Sequence, residues 1–296
     1  MKTNRIIFLV LLLLAAAAVY VYTNDNRTTL KQDLSDFAMP DTAFITKVFL
    51  ADRQGKEILL ERLKSGKWQL NGEYDVRRDL LDVLLRTIEG VEMKAPISKS
   101  AHNNIVRNMA GKSTKVEIYT NHELSKTYYV GNSAQDNLGT YMLIEGSSVP
   151  YITHLPGFNG YLTPRYSTFI NEWRSTLLCN YRVSQIKSLE INYHQQPENS
   201  FRIDRLDSDK YKLTAMSPET EISEFDSVAI RRYLLGYRKL HFETFEERKT
   251  IDIDSVLAAP KLLTMTVQTF DGGTLNIDAW RLELKEESEG VDGTPM

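Results

Sequence analysis

Two Gly-Lys pairs and one His-Glu pair are the places in this chain where neighbouring residue types could build a reactive site. A phosphate-cradling loop needs G-x-x-x-x-G-K-[ST] running into a helix, so that backbone N–H groups wrap the phosphates and the hydroxyl meets a metal ion. At Gly66-Lys67 the hydroxyl position holds Trp68 and the first glycine position holds Glu61. At Gly111-Lys112 the hydroxyl is present in Ser113, but Val106 replaces the first glycine and the strand-like TKVEIYT follows. Nucleotide binding fails at both. His122-Glu123 opens like the H-E-x-x-H of zinc peptidases, whose two histidines grip the metal from one helix face. Here Lys126 stands at the second histidine position. His102, His154, His194 and His241 are scattered without ligand spacing, so no metal and no other cofactor is expected.

Nucleophilic chemistry fares no better. Cys179, the single cysteine, lies in the apolar STLLCNY and reads as a small buried hydrophobe. One thiol closes no internal disulfide, and its distance from the N-terminus excludes a lipoprotein anchor. There is no G-x-S-x-G elbow and no recognisable Cys/His pair. Two carboxylates could meet in space as an acid–base pair, but the spacing selects none. The chain therefore reads as a non-enzyme, with a hydrolase of unrecognised site as one alternative.

One stretch carries the ingredients of recognition: THLPGFNGYLTPRYSTFINEWR, residues 153–174. Its Gly and Pro residues shape a loop, and Phe158, Tyr161, Arg165, Tyr166, Trp173 and Arg174 are the residue types enriched at interfaces and sugar-stacking sites. Three readings compete. The loop could connect two units and pin them together, present a surface to a protein partner, or stack Tyr161, Tyr166 and Trp173 on a glycan or lipid headgroup.

What positions this loop must be read from the whole chain. Of its 296 residues, 42% are hydrophobic and 25% charged, an ordinary globular balance. A net charge of −3 argues against nucleic-acid binding, which needs a basic face to displace counterions. The N-terminus places Lys2 and Arg5 ahead of an apolar run from Ile6 to Tyr22, at the short end of a bilayer span. Bulky Val19, Tyr20, Val21 and Tyr22 suit the aromatic belt of an uncleaved anchor, whereas the alanines at 15–18 would suit a cleaved signal. In both cases the positive charges keep the N-terminus cytoplasmic. The expectation is a single-pass inner-membrane protein with the bulk of the chain in the periplasm.

After a polar linker, the elements come in a repeated order. FITKVFLA reads as a strand, and KEILLERL and KWQLNG flank Ser65-Gly66 as a two-residue hairpin. That turn would set Leu63 opposite Trp68 and Glu61 opposite Leu70, and put Leu59, Leu63, Trp68 and Leu70 on one face. Asp75 would cap a helix with the stripe Val76, Leu80, Leu84, Ile88 and Val91. A shorter helix, HNNIVRNMA, would end at Gly111, and KVEIYT and KTYYVGN would pair through NHELS. Strands in TYMLIEG and PYITHL follow.

From Ile186 the order returns. IKSLEINY is the strand, SFRIDRL and KYKLTA the hairpin, and Asp226 caps a helix with the stripe Ile230, Tyr233, Leu234 and Tyr237. IDSVLAAPKL is a short helix, and LTMTVQT with GGTLNIDAW the later hairpin. ERLKSGKWQL at 61–70 and DRLDSDKYKL at 204–213 share Arg, Leu, Ser, Lys and Leu in register. The expected fold is α+β: two tandem related units of antiparallel hairpins with packed helices, behind an N-terminal transmembrane helix. The expected boundaries are 1–23 for tip and anchor, 24–40 for the linker, 41–179 and 180–285 for the units, and 286–296 for an acidic tail. The second unit lacks counterparts of TYMLIEG and PYITHL, so it is either cut short or leaves an open sheet edge for a partner strand.

The blocks KVFL, GKEILLER, GKWQLNGEYDV, KTYYVGN, LGTYMLIEG, PYITHLPGFNGYL and EWRSTLL, so spaced, resemble domain-of-unknown-function family 4340. These are membrane-anchored bacterial envelope proteins of the Bacteroidetes type. The resemblance covers about residues 40 to 285. It implies a tandem α+β architecture and an association with ABC-type transporter auxiliary components, and it transfers no catalytic residue. Members continue past the acidic segment into further strands, where this chain departs. Together these readings point to a membrane-anchored envelope interaction module with protein partners. The alternatives are a glycan or lipid-headgroup binder and the hydrolase named above.

Overall fold

The structure, a computed structural model, describes residues 36–208, 210–247 and 251–282. The expected anchor and acidic tail lie outside these residues. The fold is mixed α+β, built mostly of antiparallel sheets with a few helices. Contacts divide the chain into two compact units, the first ending at Ser175 and the second starting at Thr176. The break precedes the expected 179/180 because β10 (Leu177–Cys179) pairs with β15 (Leu240–His241), deep in the second unit's sequence. The Phe242 N–H reinforces this by donating to the Thr176 carbonyl at 3.1 Å.

The first unit is a nine-stranded antiparallel sheet. Its strands are β1 (Ile45–Ala51), β2 (Glu57–Arg62), β3 (Trp68–Leu70), β4 (Tyr74–Asp75), β5 (Glu92–Pro96), β6 (Thr114–Thr120), β7 (Glu123–Ser133), β8 (Thr140–Ile144) and β9 (Tyr151–His154). They lie in the order β4-β3-β2-β1-β6-β7-β8-β9-β5. Helix α1 (Arg78–Gly90) buries Leu81, Leu84 and Ile88 in the same core as Val48, Leu50 and Val116. Helix α2 (Lys99–Lys112) packs beside β7 and buries Ile105 and Met109 outside that core. A single turn, α3 (Ile170–Trp173), closes the unit.

Several expectations change in detail. Asp75 is a strand residue opposite Gln69, not a cap, and α1 starts three residues later with Asp79 in its first turn. The fully buried stripe accordingly runs through Leu81, with Leu80 only partly buried. Ser98 caps α2 by accepting from the Ala101 N–H, and Gly111 sits inside that helix, whose C-cap is Ser113. The β6–β7 turn is narrower than NHELS: Asn121 and His122 alone turn the chain, both at positive φ, as a twist-matched two-residue hairpin requires. Residues 36–39, expected in the linker, belong to the folded unit. Phe37 is 1% exposed with its ring edge-on to Tyr128 and Tyr151, and the Met39 N–H donates to the Ile88 carbonyl at 2.8 Å.

The β2–β3 hairpin shows what a single residue of register decides. Leu60 pairs with Leu70 and Arg62 with Trp68. The loop holds three residues, Lys64-Ser65-Gly66, with the Gly66 N–H donating to the Leu63 carbonyl and Gly66 at φ +80. This is a three-residue turn ending in a left-handed glycine, not the two-residue turn expected. The shift exchanges the faces: Ile58 and Leu60 join Trp68 and Leu70 in the core, and Leu63 is 42% exposed.

The second unit is a six-stranded antiparallel sheet. It comprises β11 (Ile186–Tyr193), β12 (Phe201–Arg205), β13 (Tyr211–Met216), β14 (Glu219–Ile222), β16 (Leu263–Thr269) and β17 (Thr274–Ala279), in the order β14-β13-β12-β11-β16-β17. Leu189, Ile191, Ile203, Tyr211, Met265 and Val267 form its inner face. The other face is polar and self-paired, with Arg202 on Asp204 at 2.8 Å and Thr266 on Asn276 at 2.9 Å, as suits a sheet wet on one side. Helix α4 (Ser227–Leu235) is capped by Asp226, whose carboxylate accepts from the Val228 N–H at 2.8 Å. Ile230, Leu234 and Tyr237 are buried, and Tyr233 stays 44% exposed against the rings of Phe201 and Tyr237. The short α5 (Ile253–Ala258) precedes β16.

Registers recur between the sheets. β1 against β6 breaks register between Ile45 and Lys47, opposite Thr120 and Tyr119; β11 against β16 breaks it between Ile186 and Ser188, opposite Thr269 and Gln268. Arg62↔Trp68 in the first hairpin has its counterpart in Arg205↔Tyr211. The Leu63 N–H donates to the Lys67 carbonyl at 2.8 Å, and the Leu206 N–H to the Lys210 carbonyl at 2.9 Å.

The observed β2–β3 register is tested by two truncations. Leu60→Ala removes a fully buried side chain and is expected to cost about 2–5 kcal/mol in urea unfolding. Leu63→Ala is expected to change stability by less than about 0.5 kcal/mol. Comparable losses in both variants would restore the two-residue turn.

Candidate functional site

The stretch 153–174 leaves β9 and turns at once. The Phe158 N–H donates to the Leu155 carbonyl at 3.0 Å, with Pro156 and Gly157 between them and Gly157 at φ +77. Proline followed by a left-handed glycine is what a type II turn asks for. The Phe158 ring then lies against Gly160, where a Cβ would sit 2.9 Å from its Cζ. Its face takes the Arg165 guanidinium, 4.1 Å from the ring centroid.

Arg165 reaches inward. Its Nη1 donates to Thr87 Oγ1 at 2.8 Å, and that hydroxyl donates to the Val83 carbonyl at 2.7 Å, tying the loop to α1. Burial draws Arg165 below the ordinary guanidinium range. Next to it, Leu162 is fully buried and its N–H donates to Thr140 Oγ1 at 2.6 Å, while Thr163 Oγ1 donates to the Gly131 carbonyl at 2.8 Å. Tyr166 is 1% exposed and its hydroxyl lies 3.1 Å from that of Tyr128, the rings edge-on. Trp173 is 2% exposed with Nε1 donating to the Ser167 carbonyl at 2.8 Å. Arg174 stacks over Tyr74 at 4.2 Å and bridges to Val76.

The six expected residues therefore do not form one surface. Tyr166 and Trp173 are core residues of the first unit and cannot stack on a glycan. Arg165 and Arg174 are spent on rings and hydroxyls of the same unit. Phe158 and Tyr161 keep 37% and 41% of their surface. Phe169 and Ile170, outside the expected set, belong to the same stretch and are also exposed. Phe169 carries the Lys56 ammonium 4.0 Å from its centroid.

Among the described residues, the perturbed carboxylates are held ionised by their neighbours. Burial pushes Glu117 upward, but Lys115 and the Tyr119 hydroxyl outweigh it and hold the carboxyl below its ordinary value. Asp52 behaves alike: burial opposes ionisation, and the Lys56 and Gln54 N–H groups and the Thr168 hydroxyl prevail. Cys179 is buried, burial pushes its thiol up, and its Sγ donates to the Tyr237 carbonyl at 3.5 Å, which makes it an inert packing residue. Among the described residues no group of three His, Cys, Asp or Glu could hold a metal ion. Three histidines are engaged separately: His102 on the Ser148 carbonyl, His194 on Thr264 and His241 on Thr176.

No protein-family model, no curated protein and no solved structure matches this chain significantly, and the resemblance to family 4340 receives no support from these comparisons.

The Tyr128–Tyr166 pair generates a prediction on stability. Burial pushes Tyr128 well above the ordinary phenol value and Tyr166 up to about 12. Below pH 10 both are protonated in folded and unfolded chains alike. As pH rises from 10 towards 12 the unfolded chain sheds these protons first, and stability falls. The double variant Tyr128→Phe/Tyr166→Phe is expected to flatten that fall in urea unfolding measured between pH 9 and 11. At pH 8, Tyr128→Phe alone strands a buried hydroxyl and costs about 1–3 kcal/mol, whereas the double variant costs less than the sum of the singles. Additive singles at pH 8 would show that the hydroxyls do not act as a pair.

Proposed function

We propose that the protein is a non-enzymatic interaction and assembly module, held at the inner membrane by its N-terminal apolar run and carrying two tandem α+β units of common design. The positive residues Lys2 and Arg5 ahead of Ile6–Tyr22 support the anchor and its orientation, with the bulk of the chain periplasmic. Among the described residues no helix is long and apolar enough to cross a membrane, so the anchor rests on the segment before residue 36. The common design is supported by the matching bulges of β1 and β11 and the matching registers of the two first hairpins. The family resemblance is what suggests an ABC-type transporter as the assembly served.

The observation that carries the interaction reading is the outer side of β17. In the first sheet, β7 follows β6 and is covered in turn by β8, β9 and β5. In the second, the sheet ends at β17 among the described residues. Other sheet edges are guarded: β4 has two residues, β5 carries Glu92, Lys94 and Pro96, and β14 carries Glu219 and Glu221. β17 runs six residues, TLNIDA, with no proline and with its one charge, Asp278, engaged by Lys261 and Thr264. Unguarded edges of this kind accept a strand from another chain.

A photo-crosslinking residue placed at Asn276 tests this in native membranes, with the same residue at Glu221 on the guarded edge as control. A discrete adduct at 276 that is absent at 221, and that Leu275→Lys weakens, is expected. Absence of any adduct at 276 would remove the edge as a docking strand.

A further inference from the structure

A second feature lies in the first unit and is independent of the edge reading. Val130 pairs with Met142 and Ser133 with Thr140, so Gly131 and Asn132 of β7 face the single residue Tyr141 of β8. A bulge of this kind takes a residue out of the ladder and re-aims its side chain. At Gly131 α2 approaches closely: a Cβ there would lie 3.0 Å from Met109 Cγ and 3.1 Å from the Tyr141 carbonyl oxygen. The bulge and the helix together border an open pocket of about 130 Å³ lined by Ile105, Asn108, Met109, Asn132, Ser133 and Tyr141.

The lining sorts by chemistry. Ile105 and Met109 are buried and form an apolar floor. Asn108 and Asn132, both exposed, and Ser133 and Tyr141, partly exposed, complete the lining, with their side chains open to solvent and not hydrogen-bonded to a described residue. No lining residue is charged. Asn108 and Met109 belong to the last turns of α2, whose C-terminal end carries partial negative charge and disfavours an anion. A ligand suited to this lining is neutral, offers several hydroxyls and presents one apolar face.

We propose that this pocket binds a single neutral sugar ring, free or at the end of a chain. Each carboxamide can donate to one ring hydroxyl and accept from its neighbour, and the Ser133 and Tyr141 hydroxyls serve either role. The C–H face of the ring lies on Ile105 and Met109 and against the Tyr141 ring. The volume is well below the 300–1,000 Å³ or so of sites that enclose larger ligands, which limits the contact to one ring.

The test uses the full isotope-labelled chain in a detergent free of sugar headgroups, titrated with glucose, N-acetylglucosamine, the N-acetylglucosamine tetramer and glucuronate. The side-chain amide signals of Asn108 and Asn132 are expected to shift saturably with at least one neutral sugar. A response to the tetramer as well as the monomer assigns the ring to a chain end; a response to the monomer alone assigns it to the free sugar. Asn132→Ala and Asn108→Ala are each expected to weaken binding about tenfold or more, and Asn103→Ala, on the far side of α2, to leave it unchanged. No shift up to tens of millimolar, a preference for glucuronate, or equal binding by the Asn variants would each overturn the assignment.

Discussion

The register of the central antiparallel pair, β1 on β6 and β11 on β16, is the constraint on which both sheets depend. Side chains alternate along a strand, so residues three apart normally point to opposite faces. Ile45 and Val48 are nevertheless both fully buried, and so, within a per cent, are Ile186 and Leu189. The bulges between Ile45 and Lys47 and between Ile186 and Ser188 make this possible, because each inserts one residue and re-phases the strand. Without them, either the first isoleucine or the rest of the apolar set would turn to water. The bulges thus bring the first isoleucine of each strand onto the face that Val48 and Leu50, or Leu189 and Ile191, already occupy.

That constraint was written into the sequence as I-x-x-V-x-L in ITKVFL and I-x-x-L-x-I in IKSLEI, a spacing that fits neither a strict strand nor a helix. Strands with clear alternation, such as β6 and β16, are legible for the ordinary reason that half their residues must be apolar. Edge strands β5 (EMKAP) and β14 (ETEI) are harder to read: they are exposed along almost their whole length, so burial selects few apolar residues there, and the neighbouring strand makes them β. The β2–β3 turn was misjudged because Lys64-Ser65-Gly66 supports a two-residue or a three-residue loop equally well. Burial of Leu60 against Leu63 decides between them, and burial is a property of the whole sheet. Gly111 was misjudged similarly: the end of α2 is set by where β6 must begin, at Thr114.

The two sheets share inner faces and differ outside. Two residues past the bulge, the first sheet sets Phe49 opposite Leu59, and the second sets Glu190 opposite Arg202. The first keeps a half-buried outer face on which Lys47 lies 3.8 Å above the Tyr119 ring and Arg53 5.4 Å from that of Tyr129. The second replaces it with hydroxyl, amide and ion pairs. In each sheet packing constrains the inner face, and the outer face is freer to vary.

The same separation explains why the loop at 153–174 looked like an interface. Tyr, Trp and Arg are favoured at hot spots because they bury large areas while keeping a polar handle, and a core that must close irregular strands selects them for the same reason. Here the handles point inward: Tyr166 to Tyr128, Trp173 to the Ser167 carbonyl, Arg165 to Thr87. Thr140 accepts from the Leu162 N–H and its carbonyl accepts from Thr153 Oγ1, so β8, β9 and the loop are joined at one residue. The strands beyond β7 and the aromatic loop that follows them thus close on one another, each satisfying polar groups of the other. The second unit has neither among its described residues, where its sheet ends at β17.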